Sequence, residues 1–137
     1  MKSRKKLQEV FFKSQEEWEG DTSLMPADKH LVNKSIRIID RHLQDVNFSV
    51  ETLAFELNIS RSSLHRKIRA LTNQSSSEFI RYIRLKKAIQ LMKDGNYNID
   101  EIGYAVGFNS HSYFTQSFKK QFGKTPSAYM NDLKNTE

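Results

Sequence analysis

The sequence has no cysteine. That excludes disulfides, thiolate metal sites and a cysteine nucleophile, and it suits a reducing cytoplasm. The opening stretch, MKSRKKLQEVFFKSQEEW, lacks the long apolar core of a secretory signal. No apolar run approaches the length of a membrane span. Period-two alternation flanked by hairpin turns is also missing, so there is little to build a sheet from. No glycine loop is arranged to cradle phosphate, no nucleophile motif occurs, and no His, Asp and Glu share a convincing metal-ligand spacing. Asp100 and Glu101 lie in the first turn of a helix, where acids complement the dipole, and do not suggest catalysis. An enzyme is therefore not expected, nor a metal or cofactor.

What the chain does have is helical periodicity and positive charge. Its 137 residues fit one domain or two very small ones sharing a core. The hydrophobic content is 37%, with nine Phe, enough for burial to drive folding. Lys and Arg number 22 against 16 Asp and Glu. Such an excess favours a polyanionic partner only if the charge is clustered. Residues 3–19 read as a weakly amphipathic charged helix, and GDTSLMPAD (20–28) as a linker. A helix from Asp28 to Leu43 places Leu31, Val32, Ile36, Ile39 and Leu43 on one face, and Asn47 and Ser49 break it. The expected division is residues 1–27, 28–93 and 94–137.

From position 50 the chain repeats itself. VETLAFELNIS (50–60) aligns with IDEIGYAVGFN (99–109) at an offset of 49. Leu53 matches Ile102, Ala54 matches Gly103, Phe55 matches Tyr104 and Leu57 matches Val106. Beyond the following turn the offset becomes 50: Leu64 matches Phe114, Ile68 matches Phe118, Thr72 matches Phe122 and Phe79 matches Tyr129. The punctuation repeats as well. Asn58 and Gly107, then Asn73 and Gly123, stand where helix ends need the left-handed conformation. Ser60 and Asn109 are expected as N-caps of the second helix in each copy, and Ser75 and Thr125 as caps of the third. Ser75 with Glu78 makes a capping box, and Pro126 follows Thr125 at the first helical position. Each copy thus reads as a short helix, a tight turn, a second helix, a turn and a third helix: a helix-turn-helix. The third helix of the first copy, about Ser76 to Lys93, spans roughly 25 Å and links the two. The fold class is all-α, two tandem helix-turn-helix subdomains joined by a long central helix.

The second helix of each copy has two unlike faces. In the first, Leu64, Ile68 and Leu71 are apolar, while Ser62, His65, Arg66 and Arg69 share the opposite face, flanked by Arg61 and Lys67. In the second, Phe114 and Phe118 are expected in the core, with Phe122 closing the end. Ser112, Gln116 and Lys119 lie opposite, with His111 at the start and Lys120 beside. Arg suits guanine, Gln suits adenine, and His and Ser add single hydrogen bonds to base edges in a major groove. Charge is clustered here: from Arg61 to Lys93, nine Lys and Arg, among them Arg84 and Lys86, face Glu78 alone. Tyr82, Tyr97, Tyr104 and Trp18 read as packing.

These residues resemble a known family. VETLAFELNISRSSLHRKIRALTNQSSSEFIRYI (50–83), RLKKAIQLM (84–92) and IDEIGYAVGFNSHSYFTQSFKKQFGKTPSAYM (99–130) are similar to the DNA-binding domain of AraC/XylS-type transcription regulators. The resemblance covers about residues 30–133. It implies two recognition helices entering successive major grooves of double-stranded DNA, in a transcription regulator that activates. By position it implies base reading by Ser62, His65, Arg66, His111, Ser112 and Gln116. Arg61, Lys67, Arg69, Arg84, Lys86, Lys119 and Lys120 are the candidates for phosphate contact and positioning. RNA polymerase is an implied partner. The stretch ahead of the repeat looks like the region that follows a receiver domain in hybrid two-component regulators, so the chain reads as a fragment lacking a sensor or receiver domain or as a short regulator. The other reading is a helical protein–protein module that contacts a receiver domain or RNA polymerase.

Overall fold

The computed structural model describes residues 26–135. The expected helix over 3–19, Trp18 and most of the expected linker lie outside them. The described residues form seven helices: α1 Pro26–Arg41, α2 Val50–Leu57, α3 Arg61–Thr72, α4 Ser76–Asp94, α5 Ile99–Ala105, α6 His111–Phe122 and α7 Pro126–Asn135. No strand occurs among them. They fall into two compact units, residues 26–41 with Phe48–Ile80, and His42–Asn47 with residues 81–135. Helix α4 starts in the first and continues into the second.

In the first unit α1 buries Val32, Ile36, Ile38 and Ile39, and Ser35 on the same side satisfies its hydroxyl on Leu31 O at 2.8 Å. The helix spans two residues earlier at each end than the periodicity suggests. Leu43 drops out because the chain turns at once: Asp45 N–H donates to His42 O, and Asn47 N–H to the Asp45 carboxylate at 2.9 Å. Leu43 packs instead on the core of the second unit. Ser49 caps α2, and α2 contributes Leu53, Ala54 and Leu57 to the first core. Asn58 (φ 60) ends α2 and Asn73 (φ 61) ends α3, both left-handed as their residue type allows. Ser75 and Glu78 exchange backbone hydrogen bonds at 2.8 and 3.1 Å, so the expected capping box opens α4.

The second unit is built around a chain of aromatic rings. Phe108, Phe114, Phe118 and Phe122 follow one another with centroids 5.2, 6.0 and 4.8 Å apart, and Tyr129 closes on Phe118 at 5.5 Å. Tilted and edge-on geometry adds about 0.5–1.5 kcal/mol per pair to the burial. Ile102, Val106, Leu85, Ala88 and Ile89 complete this core. Asn98 and Glu101 form a second capping box, at the start of α5. The cap of α6 is Ser110, not the expected Asn109: its hydroxyl accepts from Tyr113 N–H at 3.2 Å. The inserted residue lies in the turn ahead of the cap, so Ser60 and Ser110 are equivalent at the offset of 50. Thr125 caps α7 through Ala128 N–H.

Two close approaches define this unit. At Gly107 (φ +96) a Cβ would lie 2.5 Å from Leu43 O and 2.9 Å from the Arg84 guanidinium. At Gly103 a Cβ would lie 2.9 Å from the buried Phe114 ring. The Arg84 guanidinium is itself buried, donating to Gly107 O at 3.2 Å and to Asp45 O at 2.9 Å. Burial lowers its pKa, opposed by the charge of Asp45 and by Tyr113.

Candidate nucleic-acid interface

Helix α3 is fixed from one side. Leu64, Ile68 and Thr72 are buried, and Ser60 accepts from Ser63 N–H at 3.0 Å. What remains outside is Arg61, Ser62, His65, Arg66, Lys67 and Arg69, all exposed. Arg61, Ser62, His65, Arg66 and Arg69 line one shallow open depression with Ala70. No acidic residue occurs anywhere in this helix. Two of its side chains are steadied from nearby: His65 Nδ1 lies 3.4 Å from Ser76 Oγ, and Arg69 donates to Asn73 O at 3.4 Å.

Helix α6 is held the same way by Phe114 and Phe118, and exposes His111, Ser112, Gln116, Lys119 and Lys120. Gln116 Nε2 donates to Ser112 Oγ at 3.4 Å, which aligns two expected base readers one turn apart. Lys119 and Lys120 sit in the last turn, where cations also complement the helix dipole. This helix too has no acidic residue.

The residue at the start of each recognition helix is engaged from the preceding helix. Glu51 Oε1 meets Arg61 Nη1 at 2.7 Å, and Asp100 Oδ1 meets His111 Nδ1 at 2.6 Å. The carboxyl of Glu51 is held below the usual range, first by its own backbone N–H, then by the Ser49 hydroxyl and by Arg61.

Arg84 departs from expectation. Its guanidinium is committed to two carbonyls inside the second unit, so it does not offer itself to phosphate. Lys86 is half-buried. The cause is α4 itself. Phe79, Ile80, Tyr82, Ile83, Leu85, Ala88, Ile89 and Met92 are buried around most of its circumference, so it has no broad outer face on which to carry a stripe of charge.

The aromatic residues also sort differently. Tyr82 is buried as expected, but Tyr97 and Tyr104 are 42% and 58% exposed. Phe55, at the place equivalent to Tyr104, is 84% exposed. Tyr113 is half in solvent beside the expected base readers. Its ring leans on Phe108 at 5.4 Å and its hydroxyl accepts from Arg81 at 3.3 Å. Its position between Ser112 and the buried Phe114 was the available signal.

Among the described residues no three His, Cys, Asp or Glu are placed to hold a metal, and no helix is long and apolar enough to cross a membrane.

A family model described as a helix-turn-helix domain matches residues 53–132. A protein named histidine kinase P4, from Formosa agariphila, is 36% identical over 131 residues, covering 96% of this chain and 10% of that protein. The Msm operon regulatory protein of Streptococcus mutans is 35% identical over 109 residues, covering 80% of this chain and 39% of the relative. The chain therefore spans well under half the length of either. Among solved structures, the DNA-binding domain of AdpA, described as a global transcriptional factor and crystallised with a target DNA, superposes with a TM-score of 0.68 at 27% identity, covering 77% of this chain and 95% of that one. With the model match spanning more than half its length, this chain belongs to the AraC-type family of helix-turn-helix transcription regulators.

Proposed function

We propose that the chain is the sequence-reading module of a transcription activator, binding double-stranded DNA with α3 and α6 in successive major grooves. The observation that carries this reading is the pairing of two apolar-anchored, serine-capped helices whose outer faces hold base-reading and phosphate-binding side chains and no acid. Ser62, His65 and Arg66, and His111, Ser112 and Gln116, are the base readers. Arg61, Lys67, Arg69, Lys119 and Lys120 steer and position. Unlike readers in the two units call for an asymmetric site of two dissimilar elements about one helical turn apart. This is binding work, not catalysis, and its place is with the DNA in the cytoplasm.

The likeness to a protein named a histidine kinase supports a link to two-component signalling. A sensor or receiver domain in the whole protein and contact with RNA polymerase follow from that reading.

Selection of bound sequences from a random duplex pool tests the proposal. A two-element consensus is expected, and recovery of no consensus overturns it. In the recovered site, Arg66→Ala is expected to cost about 1–3 kcal/mol and to relax preference at one position. Equal losses on specific and random DNA would remove Arg66 from the base readers. One observation favours the protein–protein reading: Phe55 and Tyr104 repeat as exposed aromatics on α2 and α5. It requires a partner whose binding is insensitive to salt.

A further inference from the structure

Two carboxylate contacts at the starts of the recognition helices coincide with the internal repeat. Glu51 and Asp100 are related by the offset of 49, and Arg61 and His111 by the offset of 50. Each acid sits in the first turn of the helix ahead, and its partner is the first residue of the recognition helix. The residue types have changed between copies, Glu–Arg in one and Asp–His in the other, while the arrangement has not.

Stability accounts poorly for this. All four side chains are more than half exposed, at 61% and 68% in the first pair and 69% and 56% in the second. Exposed ion pairs contribute little, because water screens the charges and ordering two long side chains costs entropy. In the first copy the arrangement is also costly in one respect, since the Arg61 cation at a helix N-terminus opposes the dipole, and α3 has no acid of its own in that turn. The carboxylate from the helix ahead offsets that charge.

The position has a consequence for DNA. The N-terminal end of a recognition helix is the part that reaches base edges, and phosphates line the way in. A free basic side chain there, Arg61 above all, would grip any phosphate, whatever the sequence. Paired with a carboxylate, it must give up that partner first, and the carboxylate itself is repelled by phosphate.

Resting on the DNA-reading proposal, we propose that Glu51 and Asp100 are positioning residues that set specificity by withholding Arg61 and His111 from indiscriminate phosphate contact. Only a site whose bases engage the rest of the helix, such as Arg66 or Gln116, recovers what breaking the pair costs. Discrimination arises here from an interaction placed against the wrong sequence, not only from contacts to the right one.

The test compares the wild-type protein with Glu51→Gln, Asp100→Asn and the double variant. Each is titrated against the duplex recovered by selection and a random-sequence duplex pool of equal length. Asp94→Asn is the control: it changes net charge by the same amount at the last residue of α4, a helix that is neither a recognition helix nor one that carries the paired acids. Each pair variant is expected to tighten random-pool binding about 3–10-fold and selected-site binding less than about 2-fold, so the specificity ratio falls. In an Arg61→Ala background the effect of Glu51→Gln should shrink to what direct repulsion between carboxylate and phosphate leaves, a coupling that a purely structural acid would not show. An unchanged ratio, an equal drop in Asp94→Asn, or an undiminished effect without Arg61 overturns the proposal. Thermal unfolding confirms that each variant is folded, as exposed neutralisations should be. If the wild-type protein itself shows no preference between the two duplexes, the DNA-reading proposal fails as well, and the two failures are told apart.

Discussion

At the Arg84 guanidinium, charge serves the fold. Two backbone carbonyls from separate stretches, Asp45 and Gly107, converge on it, and its Nε is buried without a hydrogen-bond partner. Arg84→Ala should lower stability by about 1–3 kcal/mol, because one buried and one partly buried carbonyl lose a charged donor together. Arg84→Lys should recover only part, since one ammonium does not span two divergent carbonyls as a planar fork does. Urea unfolding of the three proteins checks both. Tyr82 makes a second prediction at this scale. Its phenol is 1% exposed, and burial raises its pKa well above the tyrosine range. A raised value in the folded state means that stability is complete below the ordinary value of about 10 and is lost as pH climbs beyond it. Tyr82→Phe should therefore flatten the alkaline side of the stability profile, measured by unfolding at stepped pH. Nothing in the sequence around Arg84 separates it from its outward-facing neighbours. Its role depends on which carbonyls the fold brings to it, and spacing along one helix does not contain that information.

Among the elements, the two recognition helices are the clearest case of local chemistry fixing structure. Each starts at a serine whose hydroxyl accepts the N–H three residues on, Ser60 for α3 and Ser110 for α6. Each ends at a left-handed residue, Asn73 or Gly123. Ser60→Ala and Ser110→Ala should each cost about 1 kcal/mol, and Asn109→Ala close to nothing, as read by thermal unfolding. The third variant separates the observed cap from the one the sequence suggested. The caps Ser60, Ser75 and Thr125, the helix-ending turns, the 49-then-50 offset and the apolar stripes of α3 and α6 were readable from the chain because each depends on neighbours within a few positions, whereas one inserted residue was enough to shift the α6 cap from Asn109 to Ser110. Helix α4 was readable in extent but not in orientation. A helix buried around most of its circumference gives no amphipathic signal, so counting its Arg and Lys overstated the exposed charge. The ion pairs Glu51–Arg61 and Asp100–His111 join residues ten or eleven positions apart across a turn, beyond the reach of helical spacing rules.

For the whole molecule, the excess of 22 basic over 16 acidic residues matters through its placement. Arg61, Arg66, Lys67 and Arg69 on α3, and Lys119 and Lys120 on α6, lie on helices with no acid among them. Binding to duplex DNA should weaken steeply with salt, with a log–log slope of about −5 or steeper if six or more phosphates are neutralised. A shallow slope across a salt titration would favour a protein partner for these faces.

Gly103 and the Phe114 ring have a bearing on how the two copies can still exchange parts. Where the second copy has a bare backbone against a phenyl group, the first has a methyl at Ala54 and a shorter side chain at Leu64 in the equivalent positions, both buried. Volume has moved across the contact while its sum stayed nearly level. Transplanting α2 in place of α5 alone would drive a methyl into an occupied ring, whereas moving α2 together with α3 carries its own fit along. Grafts between the halves should thus succeed in matched pairs, and a single graft that sets Ala54 against Phe114 should fail.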